Sequence, residues 1–286
     1  MRVARQLRGR AVIRALSSTP TRLEELRTAG IVPLAGNLDE AMTLRRLAGL
    51  ATRVVHLAPP AAEPPGAWWR DLRTQSAMRA LSLRSLPASA VYASTSGVYG
   101  DCAGALVSES RPARPRTPRA QRRHDAERLV RHFGRRNGVR VSILRVPGIY
   151  GPGRGGGARD RLAQGSPVLR PEDDVYTNHI HADDLARAVV FALWRGKPQR
   201  VYNVNDDTQM MVGEFYDLAA DIFELPRPRR VPCAAAGQEL SLNSLSFLHE
   251  SRRMSNVRLK RELRLGLRYP TVREGLLEQK ALLGRP

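Results

Sequence analysis

Residues 91–101 read Val91-Tyr92-Ala93-Ser94-Thr95-Ser96-Gly97-Val98-Tyr99-Gly100-Asp101, an apolar run that ends in hydroxyls and glycine. The run from Ala90 to Thr95 has the length and bounds of a strand, and the residues after Thr95 have the composition of a loop. Outward from it, short β-branched runs alternate with longer helical patterns. Further strands are expected at Ala11 to Leu16, Ile31 to Leu34, Arg53 to Ala58, Arg140 to Arg145 and Arg200 to Val204. Helices are expected at Pro20 to Ala29, Asp39 to Gly49, Pro65 to Ser85, Pro118 to Asn137 and Ala182 to Trp194. The fourth helix is punctuated at both ends, with Thr117 as N-cap, Pro118 in the first turn and Gly138 as the stop. Such alternation marks the α/β class, a doubly wound parallel sheet with helices on both faces. After Val204 the pattern changes to helices near Val212 to Phe223, Leu240 to Glu250, Asn256 to Leu263 and Val272 to Leu283. The expected division is therefore 1–205 and a smaller, mainly helical lobe at 206–286, to which 151–175 contributes.

Composition narrows the functional classes. The chain has 286 residues, 42% of them hydrophobic, which suffices for a sizeable core. No apolar run approaches the roughly 20 residues of a membrane span, Val189 to Trp194 being the longest candidate. The N-terminus shows no apolar segment of signal-peptide length, so no membrane partner and a cytoplasmic location are expected. Cys102 and Cys233 cannot build a disulfide framework or a four-ligand zinc site, so no metal is expected. The formal charge is +20, from 47 basic and 27 acidic residues, and only Lys197, Lys260 and Lys280 among the basic ones are lysine. That charge attracts anions, but the arginines are scattered and aromatics make up 5% of the chain, so a nucleic-acid partner is not expected.

Four motifs in order carry a resemblance. The stretch at Val91 to Asp101 resembles the fifth strand of the extended short-chain dehydrogenases/reductases, the NAD(P)-dependent epimerase/dehydratase group. Leu144-Arg145-Val146-Pro147-Gly148-Ile149-Tyr150-Gly151-Pro152-Gly153 resembles the segment after that family's sixth strand. His181-Ala182-Asp183-Asp184-Leu185-Ala186 resembles its helix entry, and Val201-Tyr202-Asn203-Val204 the next strand. The resemblance implies a Rossmann-like fold, a nicotinamide cofactor, and a small substrate, of nucleotide-sugar type, held between the two lobes.

In that family a tyrosine hydroxyl exchanges a proton with the substrate oxygen, and a lysine four residues on lowers its pKa and holds the cofactor ribose. A Ser or Thr at the preceding strand end bonds the same oxygen. Thr95 matches this last position, although a strand-end hydroxyl also suits an ordinary bond to nearby backbone. Tyrosine and lysine fall on Arg119 and Arg123, aligned through Glu127. No shift of register restores them, because Asp101 to Arg140 contains neither residue type. Arg123 retains the charge to bond a ribose, but Arg119 cannot trade a proton near neutrality. His124 points about 100° away from Arg123 on the helix and is a poor substitute acid.

The resemblance also fails at the N-terminus. Met1 to Leu7 reads as the end of the family's first helix and Ala11 to Leu16 as its second strand, so the first strand and the glycine fingerprint for pyrophosphate have no counterpart. Loss of that central strand leaves a gap of ~10 Å in the sheet. Either the sequence is a shortened form of a longer protein, which the mid-helix position of Met1 favours, or the nucleotide loop has been lost. At the end of the second strand Ser17 and Ser18 replace the acid that bonds a ribose 2′-hydroxyl, and Arg22 suits a 2′-phosphate, which tilts the cofactor from NAD toward NADP. The resemblance further places Leu57, Ala58, Arg123, Pro147 and Gly148 against the cofactor. The glycine cluster Gly151 to Gly157 reads as a connection between lobes rather than a phosphate cradle.

His179, His181 and Asp183 alternate as metal ligands on a strand would. The expected role is structural, with Asp183 or Asp184 starting a helix as N-cap or first-turn acid and His181 packed at the strand end. The function expected is an atypical NAD(P)-dependent oxidoreductase or epimerase-like enzyme, and a homodimer is compatible with it. The alternatives are a non-catalytic NAD(P)-sensing or scaffold protein of the same fold, or a truncated product unable to bind cofactor.

Overall fold

The computed structural model describes residues 1–62, 66–239 and 250–283. Its centre is a parallel sheet in the order β11 (Arg200–Asn203), β6 (Arg140–Val146), β4 (Ser89–Thr95), β3 (Arg53–His56). Alternation along β4 and β6 sends successive side chains to opposite faces. Tyr92, Val141 and Ile143 face α3 (Leu72–Leu81) and α4 (Pro118–Asn137), against Met78, Leu81, Val130 and Phe133. Val91, Leu144 and Val146 face α6 (Ala182–Arg195) and the helix Val257–Leu263, against Val189, Leu193, Leu259 and Leu263. The sheet is thus covered on both sides, and the expected Rossmann-like α/β fold is observed.

β1 (Arg14–Ser17) and β2 (Val32–Ala35), joined through α2 (Pro20–Thr28), pair in parallel as a separate two-stranded sheet. Among the described residues no strand ladder joins β1 to β3. α1 (Arg2–Leu7) lies on α6, and the turn after β2 packs on α3, where Arg73 Nε donates to Asp39 Oδ1 at 2.7 Å. The Arg2 guanidinium bonds the Asp183 carboxylate and the Pro152 carbonyl, and Gln6 Nε2 donates to Asp183 O at 3.4 Å.

Short strand pairs build the second lobe. β7 (Gly148–Tyr150) pairs with β10 (His179–His181), β8 (Val168–Leu169) with β13 (Arg230–Val231), and β9 (Tyr176–Thr177) with β12 (Met210–Met211). A further pair, β5 (Leu106–Val107) with β14 (Arg253–Met254), closes over the turn after β4. α5 (Ala158–Ala163), α7 (Val212–Phe223) and the helix Val272–Leu283 pack around Tyr150, Leu162, Phe215 and Leu276. α8 (Cys233–Glu239) starts at the exposed Cys233, whereas Cys102 is buried with Tyr99, Val107 and Met254.

Several sequence expectations change. The helix expected at Asp39 to Gly49 is a 3-10 helix over Ala41–Leu47, where Thr43 N bonds Glu40 O at 3.0 Å and its hydroxyl bonds Asn37 O and Glu40 O. The helix expected from Pro65 begins at Leu72, because Asp71 caps it by accepting from Thr74 N at 3.1 Å. The segment expected as a helix at Leu240 to Glu250 lies, but for Glu250, outside the described residues. α6 is capped by His181, whose Nδ1 accepts from Asp183 N at 3.3 Å, and Asp183 and Asp184 stand as acids in its first turn. Asp184 also accepts the Arg268 and Tyr269 amides at 2.9 to 3.0 Å and so ties the C-terminal lobe to α6. No described helix is long and apolar enough to cross a membrane.

Candidate active site

The carboxyl ends of parallel strands are where open α/β sheets bind ligands. Here β3, β4 and β6 deliver Leu57 and Ala58, Thr95 and Ser96, and Pro147 and Gly148. Leu57 is 49% exposed, an apolar side chain left at an open strand end. Thr95 is half-buried, and its Oγ1 accepts from Gly97 N at 3.3 Å, so the hydroxyl is engaged in the local turn. That turn is fixed by Gly100, with φ +66°, where a Cβ would stand 2.3 Å from Arg114 O.

α4 brings Arg119 and Arg123 to this edge. The Arg123 Nη1 donates to Ala93 O at 2.8 Å, Tyr92 Oη at 3.2 Å and Ala58 O at 3.3 Å, so it bridges the ends of β3 and β4. Arg119 stands one turn earlier. Partial desolvation and the charge of Arg123 press its pKa down, and the Glu250 carboxylate acts in the opposite sense. Beneath them Glu127 receives Arg145 Nε at 3.0 Å and Nη2 at 2.8 Å, and Ser94 Oγ at 2.7 Å. This buried bidentate pair locks α4 onto β4 and β6, and the Arg145 guanidinium lies 4.5 Å from the centre of the Tyr99 ring. The half-buried His124 lines a separate surface cleft with Trp69, Gln121 and Arg128.

The structure does not gather all the expected cofactor residues in one place. Ser17 Oγ accepts from Thr19 N at 3.3 Å, Ser18 is exposed, and Arg22 pairs with Glu25 at the surface. All three belong to the β1–β2 unit. The cluster Gly151 to Gly157 leads into the six-residue α5. His179 stacks on Phe215 at 4.1 Å between ring centroids, and the His181 Nε2 lies 3.2 Å from Glu278 Oε2. Burial lowers the His179 pKa to about 3. Among the described residues no three metal-ligating side chains converge.

A cavity of about 220 Å³ opens between the lobes. The segments that follow β4 and β6 contribute Ser96, Pro147 and Gly148, and the rest of the lining includes Arg161, Phe215, Tyr216, Glu250 and Arg252. Sequence reading missed Glu250 and Arg252. They sit about 150 residues beyond Thr95, in no motif, and the β5–β14 pairing, with Ser251 O accepting from the Cys102 and Gly104 amides, carries them to the turn after β4.

The model of the NAD dependent epimerase/dehydratase family matches residues 34–205, more than half of the chain. The chain belongs to this family. Over 198 residues it is 30% identical to the GDP-6-deoxy-D-mannose reductase of Pseudomonas aeruginosa, an alignment covering 62% of this chain and 64% of that protein. A solved structure described as a functionally unknown conserved protein from Silicibacter pomeroyi DSS is 26% identical, with a TM-score of 0.75 over 98% of this chain and 93% of that one. The structure of RMD from Pseudomonas aeruginosa complexed with NADPH has a TM-score of 0.70 over 94% of this chain and 98% of its own, at 22% identity, a likeness of fold.

Proposed function

We propose that the protein is an atypical NAD(P)-dependent oxidoreductase or epimerase-like member of its family that takes a small ligand of nucleotide-sugar type between its lobes. The observation that carries this reading is the inter-lobe cavity, which meets the strand ends at Ser96, Pro147 and Gly148. Support for the ligand class comes from the GDP-6-deoxy-D-mannose reductase likeness, and for the cofactor from the NADPH complex of similar fold.

The nicotinamide half of such a cofactor suits the open strand ends, where Leu57 is exposed and Gly148 would bring a Cβ to 3.3 Å from Asn178 O. Among the described residues no strand pairs with both β1 and β3. A bound nicotinamide would supply hydride exchange. The chain's own contribution is positional: Thr95 presents a hydroxyl at the strand end, Arg123 holds β3 and β4 in register, and Arg119 brings charge without a transferable proton.

A second reading, a non-catalytic NAD(P) sensor, is favoured by the Arg123 Nη1 bonds to Ala58 O and Ala93 O, which engage the group that replaces the catalytic lysine. Titration calorimetry with NADPH, NADH, UDP-glucose, GDP-mannose and dTDP-glucose tests both. Saturable binding of a sugar nucleotide with slow NADPH oxidation is expected, and the pair Arg119→Tyr with Arg123→Lys should raise turnover. Binding of dinucleotide without any sugar nucleotide supports the sensor instead. Tighter binding of NADPH than of NADH is the outcome expected from Ser17, Ser18 and Arg22.

A further inference from the structure

Asp206 stands where the chain leaves β11 and is 1% exposed. Its amide donates to His179 O at 2.8 Å, and its Oδ1 accepts from Thr208 N at 3.0 Å. Oδ2 is buried without a hydrogen-bond partner. An unpaired buried carboxylate is costly, whereas a protonated one needs only an acceptor for its hydrogen. Burial and the charge of Asp207 both favour the proton and raise the pKa to about 8.

The acceptor at hand is the Tyr150 hydroxyl on β7. Tyr150 Oη gives its single hydrogen to Thr271 O at 3.3 Å, one residue before the helix Val272–Leu283. That helix lies on the tyrosine ring, since a Cβ at Gly275 would stand 2.5 Å from it. Its first amide, Val272 N, donates to Thr208 Oγ1 at 2.9 Å, so Asp206 is tied to the helix start through Thr208 as well. The same ring meets His179 edge-on at 6.1 Å, and His179 stacks on Phe215 in the cavity wall.

One hydrogen thus has two acceptors to choose between. With Asp206 protonated, Oδ2 donates to Tyr150 Oη and the tyrosine hydrogen stays on Thr271 O, a chain that runs one way. Once the proton leaves for bulk water, the carboxylate is the stronger acceptor and takes that hydrogen. The surroundings do not favour the new charge. Asp207, paired with Lys260, acts on Asp206, and Glu274 of the helix and Asp184 of α6, paired with Arg187, act on Tyr150. Burial holds His179 and His181 of β10 below the usual histidine range, so neither supplies a countercharge above neutrality.

We propose that the Tyr150 hydroxyl is a two-position switch: with Asp206 protonated it holds Thr271 and the start of the helix Val272–Leu283, and with Asp206 ionised it turns to the carboxylate and releases that helix start.

The test is deuterium exchange read by mass spectrometry on residues 272–283, with β6 as the reference within the same molecule. The ratio of the two removes intrinsic exchange chemistry and any global loss of stability. In wild type the helix should lose roughly tenfold in protection relative to β6 between pH 6.5 and pH 9. In Asp206→Asn the amide N–H stands in for the acid O–H, so the ratio should keep its pH 6.5 value throughout. Tyr150→Phe removes the hydroxyl and should loosen the helix equally at both pH values; it decides the matter if Asp206→Asn does not fold. A wild-type ratio that does not change with pH overturns the switch, and so does a pH-dependent ratio that survives either substitution.

Discussion

At the scale of single residues, Gly100 is where backbone and packing agree most sharply. An alanine there would take a left-handed φ and meet Arg114 O, so Gly100→Ala should cost about 3 kcal/mol of folding stability, read from denaturant melts. Glu127 makes a second test. Replacing it by Gln leaves Arg145 buried without its ion, and a loss of roughly 3–5 kcal/mol is expected, whereas replacing both by apolar residues of similar volume should cost far less. That Asp101 to Arg140 holds neither tyrosine nor lysine was legible in the sequence, because it needs only the residue types. The bond of Thr95 to Gly97, the spent Nη1 of Arg123 and the arrival of Glu250 were not. Each depends on which backbone group or distant strand a side chain meets, and sequence spacing does not carry that information.

Among the elements, α4, α7 and the helix Val272–Leu283 have the bounds their sequence signals gave, and the six longer strands fall within a few residues of expectation. The two-residue strands escaped, since two residues show no periodicity and their pairing is set by tertiary contact. The helix at Asp39 to Gly49 winds as 3-10, a distinction that helical composition does not carry. The split sheet has a measurable outcome. β4 has partners on both sides, while β1 has only β2. Amide hydrogen exchange in β1 at Ala15 and Leu16 should be faster by orders of magnitude than in β4 and β6. Equal protection in β1 and β4 would show that the two sheets unfold as one unit. Arg2→Ala, which releases α1 from Asp183 and Pro152, should further speed exchange in β1 while leaving β6 unaffected.

For the molecule as a whole, buried titratable groups shape stability against pH. Burial lowers the pKa of His56 to about 4 and of His179 to about 3, and raises Asp206 to about 8. Below the ordinary histidine value of about 6.5 the unfolded chain takes up two protons that the folded chain refuses, so the histidine contribution, full above that pH, is lost as pH falls toward 4 and then 3. Asp206 acts in reverse. The folded chain keeps a proton that the unfolded chain releases above pH ~4, so its contribution is lost as pH rises through about 8. Two opposing slopes set a stability maximum near pH 6.5, and a fall of about 2 kcal/mol by pH 8 is expected in urea midpoints. Asp206→Asn should abolish that alkaline fall, and a wild-type profile still climbing at pH 8 would contradict the assignment. The unequal burial of the two thiols has a practical consequence. With Cys102 enclosed and Cys233 open at the start of α8, a maleimide dye should attach at one position without mutagenesis. That position comes two residues after β13, whose partner β8 carries Val168 into the cavity wall. The native chain thus comes with a built-in optical probe whose emission can follow ligand entry in real time.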